Sequence, residues 1–253
     1  MRLNRFFTPR KNLRINSSVK LEDSDVKHIR KVLRLSKGEN IIIFNGEDEY
    51  SAELTLVTRE VVTAKLKELL KSEKASEKGS VNISIFQGLL RAGKFDFIIE
   101  KVTELGASNI VPVECEFSQM KSDAAANKVT RWQKIAVAAA KQSERVSVPE
   151  VFNPISFEDI LKAKEEFDEI LFFTIPRKNI PESLESKNLD LNSLNSKKKI
   201  AIIIGPEGGF SPKEHKFAKE NGFKFVTVGN NVLRSETAAI IFTSLVKFLL
   251  DLS

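Results

Sequence analysis

The sequence predicts an α/β domain built on a parallel sheet, preceded by a small β-barrel-like domain that carries one basic helix. Three observations predict it. From about residue 81 onward, short apolar runs alternate with stripes at helical spacing. Before residue 71 the pattern is mostly short strands. Between the two, residues 71–80 (KSEKASEKGS) hold no large apolar side chain and read as a linker. The expected division is residues 1–71, a linker at 72–80, and residues 81–253. At about 150 residues per domain, a chain of 253 residues suits one or two domains.

In the first part, residues 40–44 hold the run Ile41, Ile42, Ile43, Phe44. Asn45-Gly46 then marks a turn, and residues 50–57 follow as a strand. Residues 61–70 alternate, with Val62, Ala64 and Leu66 on one face. One helix interrupts the strands. Asp23 or Ser24 is its expected cap, and Val26, Ile29 and Leu33 form its apolar stripe. Lys27, Arg30, Lys31 and Arg34 decorate its other sides.

In the second part, residues 81–86 read as a strand. Phe95, Ile98, Ile99, Val102 and Leu105 recur at helical spacing, and Gly106 suits the helix end. Residues 109–113 form a second strand. Trp132, Ile135, Ala136 and Ala139 mark another helix, and residues 155–163 are a further helix candidate. Residues 169–174, 199–204 and 225–228 are short unbroken apolar runs, as expected of parallel strands covered on both faces. The polar stretch 176–198 is long for a loop.

Composition narrows the function. The formal charge is +6, with 42% apolar and 29% charged residues, ordinary for a soluble globular protein. The charge is uneven. Residues 1–37 hold eleven basic and three acidic side chains, a local +8 that leaves −2 for the rest. A basic block on a nearly neutral body points to a polyanion partner, or else to a solvated charged face. The single cysteine, Cys115, excludes an intrachain disulfide and a Cys-rich zinc site. Two histidines, His28 and His215, cannot build a His-rich metal centre, so no metal is expected. The charged start lacks the apolar stretch of a signal peptide, and residues 238–250 are too short for a membrane span. A cytoplasmic protein is the expectation.

Two junctions carry the chemistry. In residues 200–214 (IAIIIGPEGGFSPKE) a buried strand ends in Gly205, Pro206, Glu207, Gly208 and Gly209, and a helix begins at once. Ser211 is a good N-cap, Pro212 fits the first helical position, and Glu214 completes a capping box. Glycines let backbone approach a ligand, and ligands of open α/β sheets bind beyond the carboxyl ends of strands. The segment matches neither a phosphate-binding P-loop nor the dinucleotide fingerprint. The second junction, FVTVGNNVLRSETAAIIF, runs from a strand through Gly229 and Asn230 to a helix near Ser235, with Arg234, Glu236 and Thr237 at its mouth. A third strand end, at Phe173 and Thr174, offers apolar walls. Three such ends could hold a flat aromatic moiety such as adenine. Arg91 and Lys94, in the loop after the first strand of this domain, are candidates for phosphate contact. Cys115 reads as a buried small residue rather than a nucleophile, Trp132 as core, and His215 as structural or solvated.

Together the motifs NRFF, HIRKVLRL, EKVTELGASNIVPV, RWQKIAVAAAKQSERVSVPEV, IGPEGGFSPKE and VGNNVLRSETAA resemble the RsmE family, bacterial small-subunit ribosomal RNA methyltransferases of the SPOUT class. The resemblance spans nearly the whole chain in order. It implies a SPOUT methyltransferase domain with a deep C-terminal trefoil knot, preceded by a PUA-like RNA-binding domain. It implies S-adenosylmethionine as methyl donor, N3 of a uridine in 16S ribosomal RNA as acceptor, and a homodimer. On this resemblance Phe173, Thr174, Gly205, Pro206, Glu207, Gly208, Gly209, Gly229, Asn230, Val232 and Leu233 would line the cofactor. Arg234 would stabilise negative charge on a uracil carbonyl or hold a phosphate, and Glu236 would accept the N3 proton or orient Arg234. Arg5, Arg30, Lys31, Arg34, Arg91 and Lys94 would hold RNA phosphates. A related methyltransferase acting on another atom, a non-enzymatic RNA-binding protein and a nucleotide hydrolase are the competing readings. Glycine-rich corners with VLRSET disfavour the second, and the missing phosphate loop disfavours the third.

Overall fold

The computed structural model describes residues 3–73, 81–91, 93–174, 187–188, 198–228 and 231–251. The chain divides into two compact units. The first comprises Met1–Lys78 with Ala140–Val148, and the second Gly79–Ala139 with Pro149–Ser253.

The first unit is a five-stranded sheet with one helix. Its strands are β1 (Arg5–Phe7), β2 (Ser18–Lys20), β3 (Asn40–Phe44), β4 (Asp48–Val57) and β5 (Val62–Ser72), in the order β1-β3-β4-β5-β2. Only the β1–β3 pair is parallel. Period-two alternation sends Ile41 and Ile43 of β3 and Val62, Ala64 and Leu66 of β5 into the core, with Phe6, Val19 and Leu54. The expected turn at Asn45-Gly46 is present. Gly46 takes φ +91°, and Asn45 Oδ1 accepts hydrogen bonds from the Glu47 and Asp48 amides.

Helix α1 (Asp23–His28) differs from expectation at its start. Glu22 occupies the N-cap position, and no side chain caps the helix. Burial sets the start instead. Asp25 and Val26 face inward, and the Asp25 carboxylate lies 2.9 Å from Lys141 Nζ. The helix then widens into a π-type turn, Ile29–Leu33, that ends with Arg34 in the left-handed region at φ 55°.

The second unit is an all-parallel sheet in the order β11-β13-β10-β12-β6-β7-β8, with β9 also beside β7. Its elements are β6 (Asn82–Gly88), α2 (Lys94–Glu104), β7 (Asn109–Glu114), α3 (Ser122–Ala126), α4 (Val129–Gln142), β8 (Glu150–Val151), β9 (Ile155–Ser156), β10 (Glu169–Phe173), β11 (Lys187–Asn188), β12 (Lys199–Ile204), α5 (Pro212–Glu220), β13 (Lys224–Thr227) and α6 (Ser235–Asp251). The apolar runs are buried along their length, as their composition demands. Helix α2 buries Phe95, Ile98, Ile99 and Val102. Gly106, at φ +102°, ends it in a Schellman arrangement: its amide donates to Thr103 O and the Ala107 amide to Val102 O.

Residues 155–163 are not the expected α-helix. Ile155 and Ser156 join the edge of β7, and Glu158–Glu166 winds as a 3-10 helix. The buried anchors Phe157 and Ile160 are three apart, the spacing that eclipses in a three-residue turn. Most of 176–198 lies outside the described residues; Lys187–Asn188 within it pairs with β13.

Candidate functional site

The carboxyl ends of β10 and β12, with the starts of α2 and α6, enclose one cavity of about 340 Å³. Its walls include Phe173, Thr174, Ile204, Gly205, Pro206, Gly209, Phe210, Leu233 and Ala238. Glu207, Val232, Arg234, Glu236, Lys94 and His215 also line it.

Close packing of backbone builds the floor. A Cβ on Gly88, at the end of β6, would lie 2.5 Å from Pro206 N and 2.9 Å from the Gly205 carbonyl carbon. Only glycine lets these chains approach so closely. The Gly205 carbonyl accepts a hydrogen bond from Ser235 Oγ at 2.6 Å and a longer one, 3.4 Å, from Gln87 Nε2. Gln87 Nε2 also donates to Ser235 Oγ at 3.0 Å. The ends of β6 and β12 and the first residue of α6 are thereby joined. Gly209 turns the loop at φ +72°, its amide donating to the Pro206 carbonyl. The predicted capping box then starts α5: Glu214 N donates to Ser211 Oγ, and Ser211 N to Glu214 Oε2.

The mouth is charged. Lys94 Nζ lies 3.3 Å from a Glu207 carboxylate oxygen and 3.6 Å from Glu236 Oε1. Glu236 Oε2 is buried with no hydrogen-bond partner among the described residues, and so is Gln87 Oε1. Arg234 is exposed on the rim. On the inner side, His215 Nδ1 lies 2.9 Å from Ser211 O and its Nε2 3.3 Å from Thr174 Oγ1.

Of the residues picked from sequence, Phe173, Thr174, Gly205, Pro206, Glu207, Gly209, Val232, Leu233, Arg234 and Glu236 meet at this cavity. Gly208 stands beside it in the same loop, where an added Cβ would lie 2.7 Å from Phe117 Cβ. Gly229 and Asn230 lie outside the described residues. Lys94 was expected on phosphate, but it bridges two carboxylates at the cavity mouth.

Among the other cations, Lys31, Arg34 and Arg91 are exposed. Arg30 is half-buried, with Nη1 3.5 Å from the Arg59 carbonyl. Arg5 is not a surface group. Its side chain is 5% exposed, lies 2.7 Å from Glu49, donates to the Glu144 and Arg145 carbonyls, and stacks 4.8 Å above the Phe44 ring. The sequence gives Arg5 and its basic neighbours the same appearance; its pairing with Glu49, the two carbonyls and the Phe44 ring separate it.

Sequence reasoning missed the polar roles of Gln87 and His215. For His215 a signal existed: it stands four residues after Ser211, on the same helical face. Burial pushes the Cys115 thiol up, with the Glu214 carboxylate adding to the shift, so it is no nucleophile. Trp132 is buried, its Nε1 donating to Asp96.

Comparison with known proteins agrees with this geometry. Residues 77–247 match the model of the RNA methyltransferase domain, and residues 21–67 that of the RNA methyltransferase PUA domain. Ribosomal RNA small subunit methyltransferase E of Rickettsia conorii is 30% identical, over 98% of this chain and 97% of its own. The Bacillus subtilis protein of the same name is 30% identical, over 90% and 89%. The crystal structure of ribosomal RNA small subunit methyltransferase E from Neisseria gonorrhoeae, bound to S-adenosyl methionine, superposes with a TM-score of 0.82 at 30% identity, covering 98% of each chain. The strand-end cavity, the PUA-type first unit and near full-length similarity place this chain in the ribosomal RNA small subunit methyltransferase E family.

Proposed function

We propose that this chain transfers a methyl group from S-adenosylmethionine to N3 of a uridine in 16S ribosomal RNA of the small ribosomal subunit. The convergence of separate strand ends on one cavity carries the reading. Its volume of about 340 Å³ falls in the range of about 300–1,000 Å³ common to small-ligand sites. The residues fit the donor. Phe173, Ile204, Leu233 and Ala238 suit a flat uncharged ring, and the glycine-rich backbone offers polar groups to its edge. Glu207 suits a cationic tail. When bound, S-adenosylmethionine supplies an electrophilic methyl group on positively charged sulfur.

The chain's own part is alignment and charge. Uracil N3 carries a weakly acidic proton that must leave as the nitrogen attacks. Glu236 Oε2, buried and without a hydrogen-bond partner among the described residues, is the acceptor for that proton. Arg234 stabilises the negative charge that spreads onto the uracil carbonyls. Lys94 holds Glu207 and Glu236 together and so fixes both junctions. Alignment of nucleophile and methyl group supplies the rest without a covalent intermediate.

Arg30, Lys31, Arg34 and Arg91 position RNA phosphates and read no sequence. Strong salt dependence of RNA binding follows. An unpaired or pre-opened uridine is favoured, because unstacking a base costs a few kcal/mol. Residues 1–71 form the RNA-binding PUA-like domain, and 81–253 the catalytic domain with a deep trefoil knot near its end. The enzyme works as a homodimer in the cytoplasm. Exposed Phe97 on α2 and Phe248 on α6 support a second copy.

The test is incubation with labelled donor and RNA from cells lacking the modification, followed by mass mapping of the product nucleoside. The expected product is 3-methyluridine; label on a ribose or another base nitrogen overturns the assignment. Arg234→Ala and Glu236→Gln are each expected to slow methyl transfer by about 100-fold, with donor affinity nearly unchanged.

A further inference from the structure

His215 and Thr174 form a two-member hydrogen-bond relay on the cavity wall, and its direction can be deduced. His215 Nδ1 lies 2.9 Å from the Ser211 carbonyl oxygen. A carbonyl oxygen only accepts, so the proton sits on Nδ1. In its neutral form the imidazole then has a bare lone pair at Nε2. That nitrogen lies 3.3 Å from Thr174 Oγ1, so the Thr174 hydroxyl donates to it. A threonine hydroxyl has one proton. With that proton committed to the ring, the oxygen offers only lone pairs elsewhere.

Both ends of the relay are fixed. Ser211 is fully buried and locked by the capping box with Glu214. The Thr174 backbone amide donates to the Val226 carbonyl, and the residue is 4% exposed. The imidazole sits among Phe172, Phe210 and Phe225, with ring centroids 5.6, 6.0 and 6.3 Å away. Both Thr174 and His215 line the cavity.

We infer that His215 determines cofactor specificity by holding Thr174 as an acceptor-only contact, so that the cavity selects a nucleoside whose ring edge presents an amino group rather than an oxo group. The choice of nucleoside rests on the donor reading above; the direction of the relay does not. A 6-aminopurine brings a proton to the Thr174 oxygen. A 6-oxopurine sets two acceptors face to face with no proton between them, and a desolvated acceptor without a donor is costly.

Two measurements test this. The chain has only two histidines, His28 and His215, so ring nitrogen-15 resonances are assigned with a single His28→Gln variant. In the cofactor-free protein at mildly alkaline pH, His215 is expected to carry its proton on Nδ1; a proton on Nε2 overturns the relay. Calorimetry then compares S-adenosylhomocysteine with its 6-oxo counterpart, S-inosylhomocysteine. The unmodified protein is expected to favour the amino compound by about 100-fold. Thr174→Val and His215→Leu are expected to reduce that preference to about tenfold or less, and Thr174→Ser, which keeps the hydroxyl, to preserve it. Circular dichroism checks that each variant is folded. An unchanged preference in the Val and Leu variants overturns the selectivity and leaves the donor reading standing. Failure of the unmodified protein to bind either compound overturns the donor reading and the selectivity with it.

Discussion

The sheet of the first unit alternates buried and partly exposed residues along β4 and β5, whereas β10 and β12 of the second are buried almost throughout. One sheet therefore has an outer face on which side chains meet solvent. The other has only its strand ends. Cations follow this division. Arg5, on β1, is buried against Glu49, where it serves stability. Lys94 stands half-exposed at the start of α2, between Glu207 and Glu236 beyond the strand ends. Two basic residues of like appearance in the sequence thus do unlike work, and the partner carboxylate and its burial decide which.

The sharpest way to break this contrast is Arg5→Ala. It leaves Glu49 buried without its ion pair, and removing one member of a buried pair costs about 4 kcal/mol. Tyr50 and Trp132 are the only tyrosine and tryptophan, and each reports on a different unit. Urea unfolding followed at both should show the tyrosine transition moving furthest. A change of RNA-binding salt slope, with stability unaltered, would instead return Arg5 to the surface.

Gly88→Ala probes the other side. The added methyl meets the Pro206 and Gly205 backbone, and forced overpacking costs about 3 kcal/mol. Here the tryptophan transition should move furthest, and affinity for S-adenosylhomocysteine should fall with it. Ser211→Ala is milder. It removes one half of the capping box, with an expected loss of about 1 kcal/mol in the same assay.

Acid titration resolves the smallest difference. Hydrogen bonding from Ser122, then the nearby Lys121, holds the Glu114 carboxyl below its ordinary value of 4.5. A lowered value favours the folded state above pH 4.5, and that contribution fades as pH falls through the folded-state value. In Glu114→Gln the acid limb of the stability curve should flatten slightly at the tryptophan probe; an identical limb would remove Glu114 from the account.

Much of this architecture was legible in the chain. Gly106, Ser211, Pro212 and Glu214 announce helix ends because caps are local chemistry. The runs at 169–174 and 199–204 announce buried strands because no solvent-facing strand tolerates them. What failed was non-local or ambiguous in period. The start of α1 depends on Lys141, more than a hundred residues away. Phe157 and Ile160 fit either a wide or a narrow helix until β9 claims Ile155. Most of the candidate site could be named, because glycine-rich strand ends are rare. The relay through His215 could not, because the direction of a proton is set by a carbonyl whose orientation only the fold provides.

The meeting of Gly88 with Pro206 has one more consequence. A single hydrogen atom is the largest substituent that position 88 accommodates, so the two segments cannot slide or part without losing their seam. Accommodation of a guest molecule must therefore come from the opposite bank, where Val232 and Arg234 face solvent. Residence time should accordingly respond to changes on that bank, while the base of the cleft behaves as a rigid template.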